Sequence, residues 1–264
     1  MNKILLSLAV LILFPLFMAA KDLTFSFGET PKELSIRNGL NVIYKPGHTS
    51  GTKVTVSGPD DKVGNVKVEL TGKSLRLHVP KKENCNGQHL AENVTVTVES
   101  GVIPTCKASS GADIRCSSTI DYGNATAVFD ASSGADIKFG SIICTNLNCE
   151  ASSGSDLIIA NVNCDKASLD SSSGADIKIG KLTSVVISLE ASSGSDIKIG
   201  HIHAGTLTAK ASSAADISLK AGDITTAILE ATSGSDIDAR SVSIGNYNIE
   251  QSSCGKVKTH KNSK

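Results

Sequence analysis

The chain is poor in aromatic residues: its 264 residues include no tryptophan, three tyrosines and six phenylalanines. Exported enzymes that cleave acidic polysaccharides need aromatic platforms for the sugar rings, and carboxylates clustered with basic residues. The arginines are few and widely spaced: Arg37, Arg76, Arg115 and Arg240. The chain also lacks a Gly-x-Ser-x-Gly elbow, a phosphate-binding loop and a paired zinc motif. These absences disfavour an enzyme.

An excess of charge of one sign is also absent, because the chain has 26 basic and 26 acidic residues and a formal net charge of +0. Proteins that bind nucleic acid carry a basic patch or stripe, so this composition argues against a nucleic-acid partner. The chain ends in a basic stretch with Lys256, Lys258, Lys261 and Lys264. We interpret residues 259–264 as a solvated basic tail, with contact to an anionic surface as the alternative.

Long apolar runs are confined to the beginning of the chain. Lys3 is followed by an almost entirely apolar run from Ile4 to Phe14, and the segment ends in small residues at Ala20. This pattern predicts a signal peptide over residues 1–20, and a membrane anchor is the alternative. We therefore expect an exported protein, in the periplasm or at the cell surface, with no transmembrane segment after the signal is removed.

The remainder of the chain is organised around one phrase that occurs seven times, from Ala108-Ser-Ser-Gly-Ala-Asp-Ile114 to Ala231-Thr-Ser-Gly-Ser-Asp-Ile237. The first two aspartates of the phrase are 23 residues apart, and each later interval is 20 residues. These aspartates are Asp113, Asp136, Asp156, Asp176, Asp196, Asp216 and Asp236. A fixed period of this length is typical of stacked coils.

Apolar residues recur within each coil at one and three, six and eight, and eleven and thirteen positions after the aspartate. Each pair alternates with polar residues, as in a strand with one buried face. The sequence therefore predicts an all-β protein, a parallel β-helix or β-solenoid with about 20 residues and three short strands per coil. A β-propeller would need roughly twice this period, and a leucine-rich repeat would show its own pattern.

The Ser-Ser-Gly segment is predicted to form the sharpest corner of each coil, because glycine supplies the positive φ of a tight bend. The glycines at this position are Gly111, Gly134, Gly154, Gly174, Gly194 and Gly234. Ala214 replaces glycine once, and we expect its coil to bend differently or to be strained. We also expect each aspartate to accept hydrogen bonds from the amides of its own turn, and the serines to hydrogen-bond along the stack.

The segment before the repeats, residues 21–105, is rich in strand patterns but lacks the 20-residue period. Leu34-Ser-Ile36 and Asn41-Val-Ile-Tyr44 are examples of its alternating runs. Since an uncovered end of a solenoid is an unpaired sheet edge, we predict that this segment forms a cap or irregular first coils. The repeats themselves are expected to occupy residues 106–258.

The aspartate column is also a candidate metal site, because carboxylates about 4.8 Å apart repel each other by roughly 1 kcal/mol even in bulk water. A second acidic column, interrupted by Lys210, precedes the corner: Glu150, Asp170, Glu190, Glu230 and Glu250. One hypothesis places calcium between the two columns, with four candidate ligands: Asp136, Asp156, Asp176 and Asp196. The other hypothesis is that the aspartates only cap their turns.

A pair of histidines, His201 and His203, shares an outward face of the predicted strand. The 20-residue register places Asp223 beside His203. Such a cluster can hold a metal ion or act in acid–base chemistry, but no third strong ligand is assured. We interpret it as a surface pair, with a metal or acid–base site as the alternative.

Seven cysteines in an exported chain suggest disulfides, and their odd number leaves at least one unpaired within a monomer. Cys144 and Cys164 are one period apart, and a strand spacing of about 4.8 Å permits a disulfide between them. The alternative is that both are small buried hydrophobes whose side chains point in parallel. Cys85 with Cys106, or Cys106 with Cys116, would instead fix the start of the solenoid.

Several segments together resemble a known family. They are Leu34-Ser-Ile-Arg-Asn-Gly-Leu-Asn-Val-Ile43, Val54-Thr-Val-Ser-Gly-Pro59, Leu75-Arg-Leu-His-Val79, Thr95-Val-Thr-Val98 and the repeated Gly-Ala/Ser-Asp-Ile turns. Following a signal peptide in this order, they are similar to the putative auto-transporter adhesin head domain of the GIN type, an exported bacterial β-helix domain. The resemblance covers essentially all of the mature chain and implies no catalytic residues.

The resemblance and the residue pattern together favour a non-enzymatic exported adhesin or binding module. It would present columns of serine, aspartate and lysine on a rigid solenoid to a protein or glycan at the cell envelope. A carbohydrate-active β-helix and a purely structural envelope protein are the alternatives. Calcium is the one cofactor that the sequence brings into consideration.

Overall fold

The fold is described from a computed structural model, which covers residues 20–47, 50–80 and 90–260. Cys85, the end of the basic tail and all but the last residue of the predicted signal peptide lie outside these residues. Within them, no helix has the length and apolar character needed to cross a membrane. The chain is nearly all β, and its strands belong to one continuous sheet that winds into a solenoid.

The described residues contain nineteen strands and one short α-helix. In chain order these are β1 (Ala20–Phe27), β2 (Glu33–Arg37), β3 (Asn41–Pro46), β4 (Thr52–Pro59), α1 (Asp60–Val63), β5 (Lys67–Thr71), β6 (Ser74–His78), β7 (Thr95–Ser100), β8 (Thr105–Ser109), β9 (Asp113–Asp121), β10 (Thr126–Ser132), β11 (Asp136–Ala151), β12 (Asp156–Ser171), β13 (Asp176–Ala191), β14 (Asp196–Ala211), β15 (Asp216–Leu219), β16 (Gly222–Ala231), β17 (Asp236–Ala239), β18 (Val242–Gln251) and β19 (Lys256–Thr259).

The predicted stack of 20-residue coils is confirmed. Strands β11 to β14 pair in parallel, each residue lying opposite the residue 20 positions later, as Ile177 lies opposite Ile197. Each of these four strands runs for 16 residues and bends at two corners, where two successive side chains face outward. At each corner the alternation of inward and outward side chains therefore shifts by one residue, as the spacing of the apolar residues in the sequence indicates.

The core is the line of inward side chains at the six predicted positions of each coil. Both Ile177 and Ile197 have 0% exposure, and the residues in equivalent positions of the other coils are mostly buried as well. Two further positions are also buried, one directly before the Ser-Ser-Gly corner and one directly before the aspartate. They hold alanine or serine, because the tight corner leaves room only for a small side chain.

The first coil of the repeat has 23 residues, and the structure shows where the extra residues lie. One is a bulge at the first corner, where the register between β9 and β11 shifts between Phe139 and Ser141. The other two lie in the turn between β9 and β10, around Gly123. A bulge of this kind bends the strand locally and leaves one residue unpaired.

The leading segment does not stack in chain order. Strand β2 lies between β6 and β8, and β3 lies between β7 and β9. Tyr44 of β3 fixes this arrangement, because its buried hydroxyl donates to the Gly101 carbonyl at 2.8 Å and accepts from the Ile103 amide at 2.9 Å. Beyond this coil, β4 pairs antiparallel with β1 and β7, and β5 pairs antiparallel with β6.

Candidate binding face

The Ser-Ser-Gly corner holds two consecutive residues in the left-handed region. In the coil that begins at Asp176, for example, Ser193 has φ +57° and Gly194 has φ +68°. Ala214 adopts the same conformation with φ +59°, and its amide donates to Ser233 at 3.0 Å as the glycine amides do to the next coil. The Ala214 corner therefore has the same bend as the other corners. The left-handed conformation is energetically unfavourable for alanine, which has a Cβ atom.

At three of these corners the capping side chain is a buried serine and not an aspartate. In every second coil the residue before the aspartate is serine, and its hydroxyl accepts from the first amide of the corner and donates to a carbonyl of the preceding coil. Ser195 accepts from the Ser192 amide at 3.1 Å and donates to the Ser171 carbonyl at 2.6 Å. The expectation that the aspartates perform this capping is wrong for these coils.

The strand that follows each corner carries two parallel columns of charge on its outer side, which we call the charged face. The aspartate column is the first. The second, two residues later, is the lysine column: Arg115, Lys138, Ile158, Lys178, Lys198, Ser218, Asp238 and Lys258. Because the coils are in register, both columns run along the solenoid with the strand spacing, about 4.8 Å.

Ion pairs connect the two columns. Lys178 Nζ lies 2.8 Å from Asp176 Oδ2 and 3.5 Å from Asp156 Oδ1, so it links two coils. Lys198 Nζ lies 2.6 Å from Asp196, and Lys258 Nζ lies 2.9 Å from Asp236. Hydrogen bonds to the aspartates raise the pKa of Lys178 and of Lys198, so both lysines remain positively charged at neutral pH.

The start of the aspartate column is less well neutralised. Burial, together with the neighbouring Asp136 carboxylate, raises the pKa of Asp113. Arg115 opposes this effect, but its Nη2 lies 3.4 Å from Asp113 Oδ2, which is a long contact. The charged face therefore changes character towards β9, where its ion pairs become looser.

The described residues do not form the cluster of ligands that the calcium hypothesis requires. Within residues 20–47, 50–80 and 90–260, no group of three or more His, Cys, Asp or Glu side chains is placed to hold a metal ion. Of the four candidate ligands, Asp156, Asp176 and Asp196 contact lysine ammonium groups, which supply the positive charge that a stack of carboxylates needs. Asp136 lies beside Asp113 at the loosely paired end of the column.

The second acidic column lies on a different face from the aspartate column. Its acidic members occupy the outward position before the corner on β11, β12, β13, β16 and β18. Lys210 lies within this column and pairs with Glu230 at 3.1 Å. The corner separates the two columns, so they do not face each other across a shared cation site.

The predicted neighbourhood of His203 and Asp223 is confirmed. The two residues lie opposite each other on β14 and β16, and His203 Nδ1 is 2.6 Å from Asp223 Oδ2. Both side chains are more than half exposed. With this exposure and no third ligand in the described part of the chain, the pair is a surface interaction.

Cys144 and Cys164 lie directly opposite each other on β11 and β12, and both are buried. In the structure both are free thiols, as are Cys106 and Cys116. Stacked inward side chains point in parallel, so the sulfurs lie side by side, and the shared hydrogen bond, with burial, raises the pKa of Cys144. The disulfide predicted as possible between Cys144 and Cys164 is not formed in this structure.

A groove of about 700 Å³ lies on the charged face over β9, β11 and the beginning of β12. Its rim is formed by Ile43, Arg115, Lys138 and Ile158. Core residues that include Ile137 and Phe139 also line it. The sequence does indicate this feature in part, because Ile158 stands where the 20-residue period would place a lysine between Lys138 and Lys178.

The fold and this surface define a parallel β-solenoid with a patterned charged face. A family model described as "putative auto-transporter adhesin, head GIN domain" matches residues 30–220 and, in a second overlapping match, residues 167–264. The chain belongs to this family. No curated protein matches the chain.

Solved structures with the same fold come from Parabacteroides and Bacteroides species. A "putative lipid binding protein" from Parabacteroides distasonis has a TM-score of 0.73 at 11% identity, covering 90% of this chain and 96% of that one. A "putative adhesin" from Parabacteroides merdae has a TM-score of 0.68 at 11% identity, with 91% and 95% coverage. A "putative adhesin" from Bacteroides fragilis has a TM-score of 0.59 at 16% identity, with 90% and 97% coverage. At these identities the likeness shows the fold alone.

Proposed function

We propose that this protein is a non-enzymatic, exported binding module that uses its charged face to contact a protein or glycan at the cell envelope. The observation that carries the proposal is the in-register repetition of aspartate and lysine along one face of a rigid solenoid. A partner with regularly spaced polar groups meets an aspartate in each successive coil, with a lysine beside it in several of them. Membership of an adhesin head family and the predicted signal peptide support this role.

The energetics favour many weak contacts over one strong contact. A single exposed ion pair contributes roughly 0–1 kcal/mol, so one coil alone binds weakly. Linked contacts along one rigid surface act at high effective concentration, and the total affinity can exceed that of each contact by a factor of about 100 or more. Such binding should weaken as salt rises, because the charges are exposed to solvent.

The test is a binding screen of the purified full-length protein against immobilised glycans and extracellular-matrix proteins. Saturable binding without turnover is expected. The double variant Lys178→Ser and Lys198→Ser should weaken it, because Ser218 shows that this column accepts serine. Lys166→Ser is the matched control, since Lys166 is exposed on β12 outside the charged face. Cleavage of a glycan, or no saturable binding to any partner, contradicts the proposal.

A further inference from the structure

The groove over β9, β11 and β12 differs in chemistry from the rest of the charged face. Four outward residues lie side by side on adjacent strands there, in the order Ile43, Arg115, Lys138 and Ile158. The two at the ends are aliphatic, although the equivalent residues further along the column are mostly charged. Ile43 is 41% exposed on the outer side of β3.

The two cations between the isoleucines extend the apolar surface, because the stems of arginine and lysine side chains are aliphatic. Ile43 and Ile158 are separated by three strand spacings, about 14 Å along the solenoid. Gly140 at the corner, without a side chain, and the small Ala160 one coil later keep one side of the groove open. The result is a continuous strip that can cover one side of an extended aliphatic chain.

The charge of Lys138 is not neutralised in the same way as that of its counterparts. Lys178, Lys198 and Lys258 each pair with an aspartate of the adjacent column. Among the residues that the structure describes, Lys138 forms no ion pair, although Asp136 lies two positions before it. An ammonium group beside an apolar strip is therefore available to an anion from outside the protein.

The bulge between β9 and β11 explains why a recess exists at this site. The extra residue near Ser117 interrupts the regular pairing next to Phe139, and the outer surface is indented there. Coils β12 to β14 continue without a shift.

We infer that this groove binds a single amphiphile molecule with an aliphatic chain and an anionic head group. The chain lies along the strip from Ile43 to Ile158, and Lys138 contacts the head group. The inference deepens the proposed function, on which it rests, by assigning a ligand class to one part of the charged face. Asp136 opposes the anion, so its charge sets how tightly the head group is held.

Isothermal titration calorimetry of the full-length protein with decanoate, below its aggregation concentration, tests the inference. The neutral and cationic probes are 1-decanol and decyltrimethylammonium. One molecule of decanoate is expected to bind, more tightly than either of the other probes. Ile158→Lys, which replaces one apolar end of the strip with a lysine like those at positions 138 and 178, should weaken decanoate binding at least tenfold. Ile228→Lys is the control, because Ile228 is also an outward isoleucine, 41% exposed, but lies on a different face.

Two further variants test the contact with the head group, and they are expected to change the affinity for decanoate in opposite directions. Lys138→Gln should weaken decanoate binding severalfold and leave 1-decanol binding unchanged, whereas Asp136→Asn should strengthen decanoate binding. Circular dichroism melting curves for each variant separate a loss of binding from a loss of folding. Equal affinity for decyltrimethylammonium, or an Ile158→Lys variant that binds decanoate normally, overturns the inference.

A last comparison separates a single amphiphile from a membrane surface. Binding to phosphatidylglycerol vesicles without binding of decanoate overturns the inference in favour of a bilayer contact. The proposed function has its own readout in the Lys178→Ser and Lys198→Ser variant. Partner binding that persists while decanoate fails to bind rejects only the groove, and the reverse result rejects only the envelope partner.

Discussion

The hydroxyl of Ser195 donates a hydrogen bond of 2.6 Å to the carbonyl oxygen of Ser171 in the preceding coil. Because the same hydroxyl accepts from the Ser192 amide, one buried side chain connects two coils at their tightest corner. Ser155 and Ser235 do the same two coils away on either side, whereas Ala175 and Ala215 occupy the intervening coils. The corner thus tolerates both residues but is connected by side chains only where serine is present.

Ser195→Ala is therefore expected to lower the free energy of unfolding by about 1 kcal/mol, which is the usual net value of such a hydrogen bond. No steric effect is expected, since alanine fills the same buried position at Ala175 and Ala215. Urea denaturation followed by circular dichroism measures the change. Ser168→Ala, at an exposed position of β12, is the control. Equal stability of the two variants would show that the corner hydroxyl does not stabilise the stack.

Ala214 and Gly194 form a matched pair for the left-handed corner. A left-handed conformation costs an L-residue roughly 1–2 kcal/mol, and the greater freedom of glycine in the unfolded chain offsets about 0.4–1 kcal/mol of this. Ala214→Gly should thus stabilise the protein by about 0.5–1 kcal/mol, and Gly194→Ala should destabilise it by a similar amount. Open space around Gly194 means that no clash contributes. Changes of the same sign in the two melting temperatures would refute this account.

Asp238 should give the protein a measurable pH dependence at low pH. Hydrogen bonds from Arg240 lower the pKa of Asp238 from 3.8 to about 2. Its contribution is therefore fully present above pH 3.8 and is lost as pH falls through about 2. Asp238→Asn should cost about 0.5 kcal/mol at pH 7, as expected for a surface pair, and progressively less below pH 3.8. Urea titrations of both proteins at pH 7, 3.5 and 2 measure this, and a constant difference would argue against the ion pair.

Thiol reactivity should distinguish Cys254 from the other described cysteines. Cys254 is exposed, whereas Cys106, Cys116, Cys144, Cys149 and Cys164 are buried. In a Cys85→Ser background, iodoacetamide is expected to modify Cys254 in the native protein and the other five only after unfolding. Peptide mapping by mass spectrometry identifies the sites. Recovery of Cys144 and Cys164 as a linked peptide would contradict the free thiols of the structure and support the disulfide that their spacing permits.

The repeated coils could be predicted almost completely from the sequence. Residues such as Ile177 and Ile197 recur at a fixed spacing because each coil pairs with the next in register, so linear distance translates directly into contact. The same register places Asp223 beside His203 and Cys164 beside Cys144. Periodicity did not indicate which polar side chain caps the corner, since both Ser195 and Asp196 lie close to the turn and only their opposite orientations separate them.

By itself, the amino-acid sequence determined the inward and outward positions of every regular coil, because a period of 20 and the alternation within strands are local properties of the chain. Only the tertiary structure decided that β2 and β3 lie between strands whose paired residues follow theirs by 41 to 72 positions, an arrangement fixed by the hydroxyl of Tyr44. It also decided that the bulge near Phe139 opens a groove between Ile43 and Ile158. The strand order and the position of Ile43 beside the repeats depend on contacts between distant, non-repeating segments, which no spacing in the chain records.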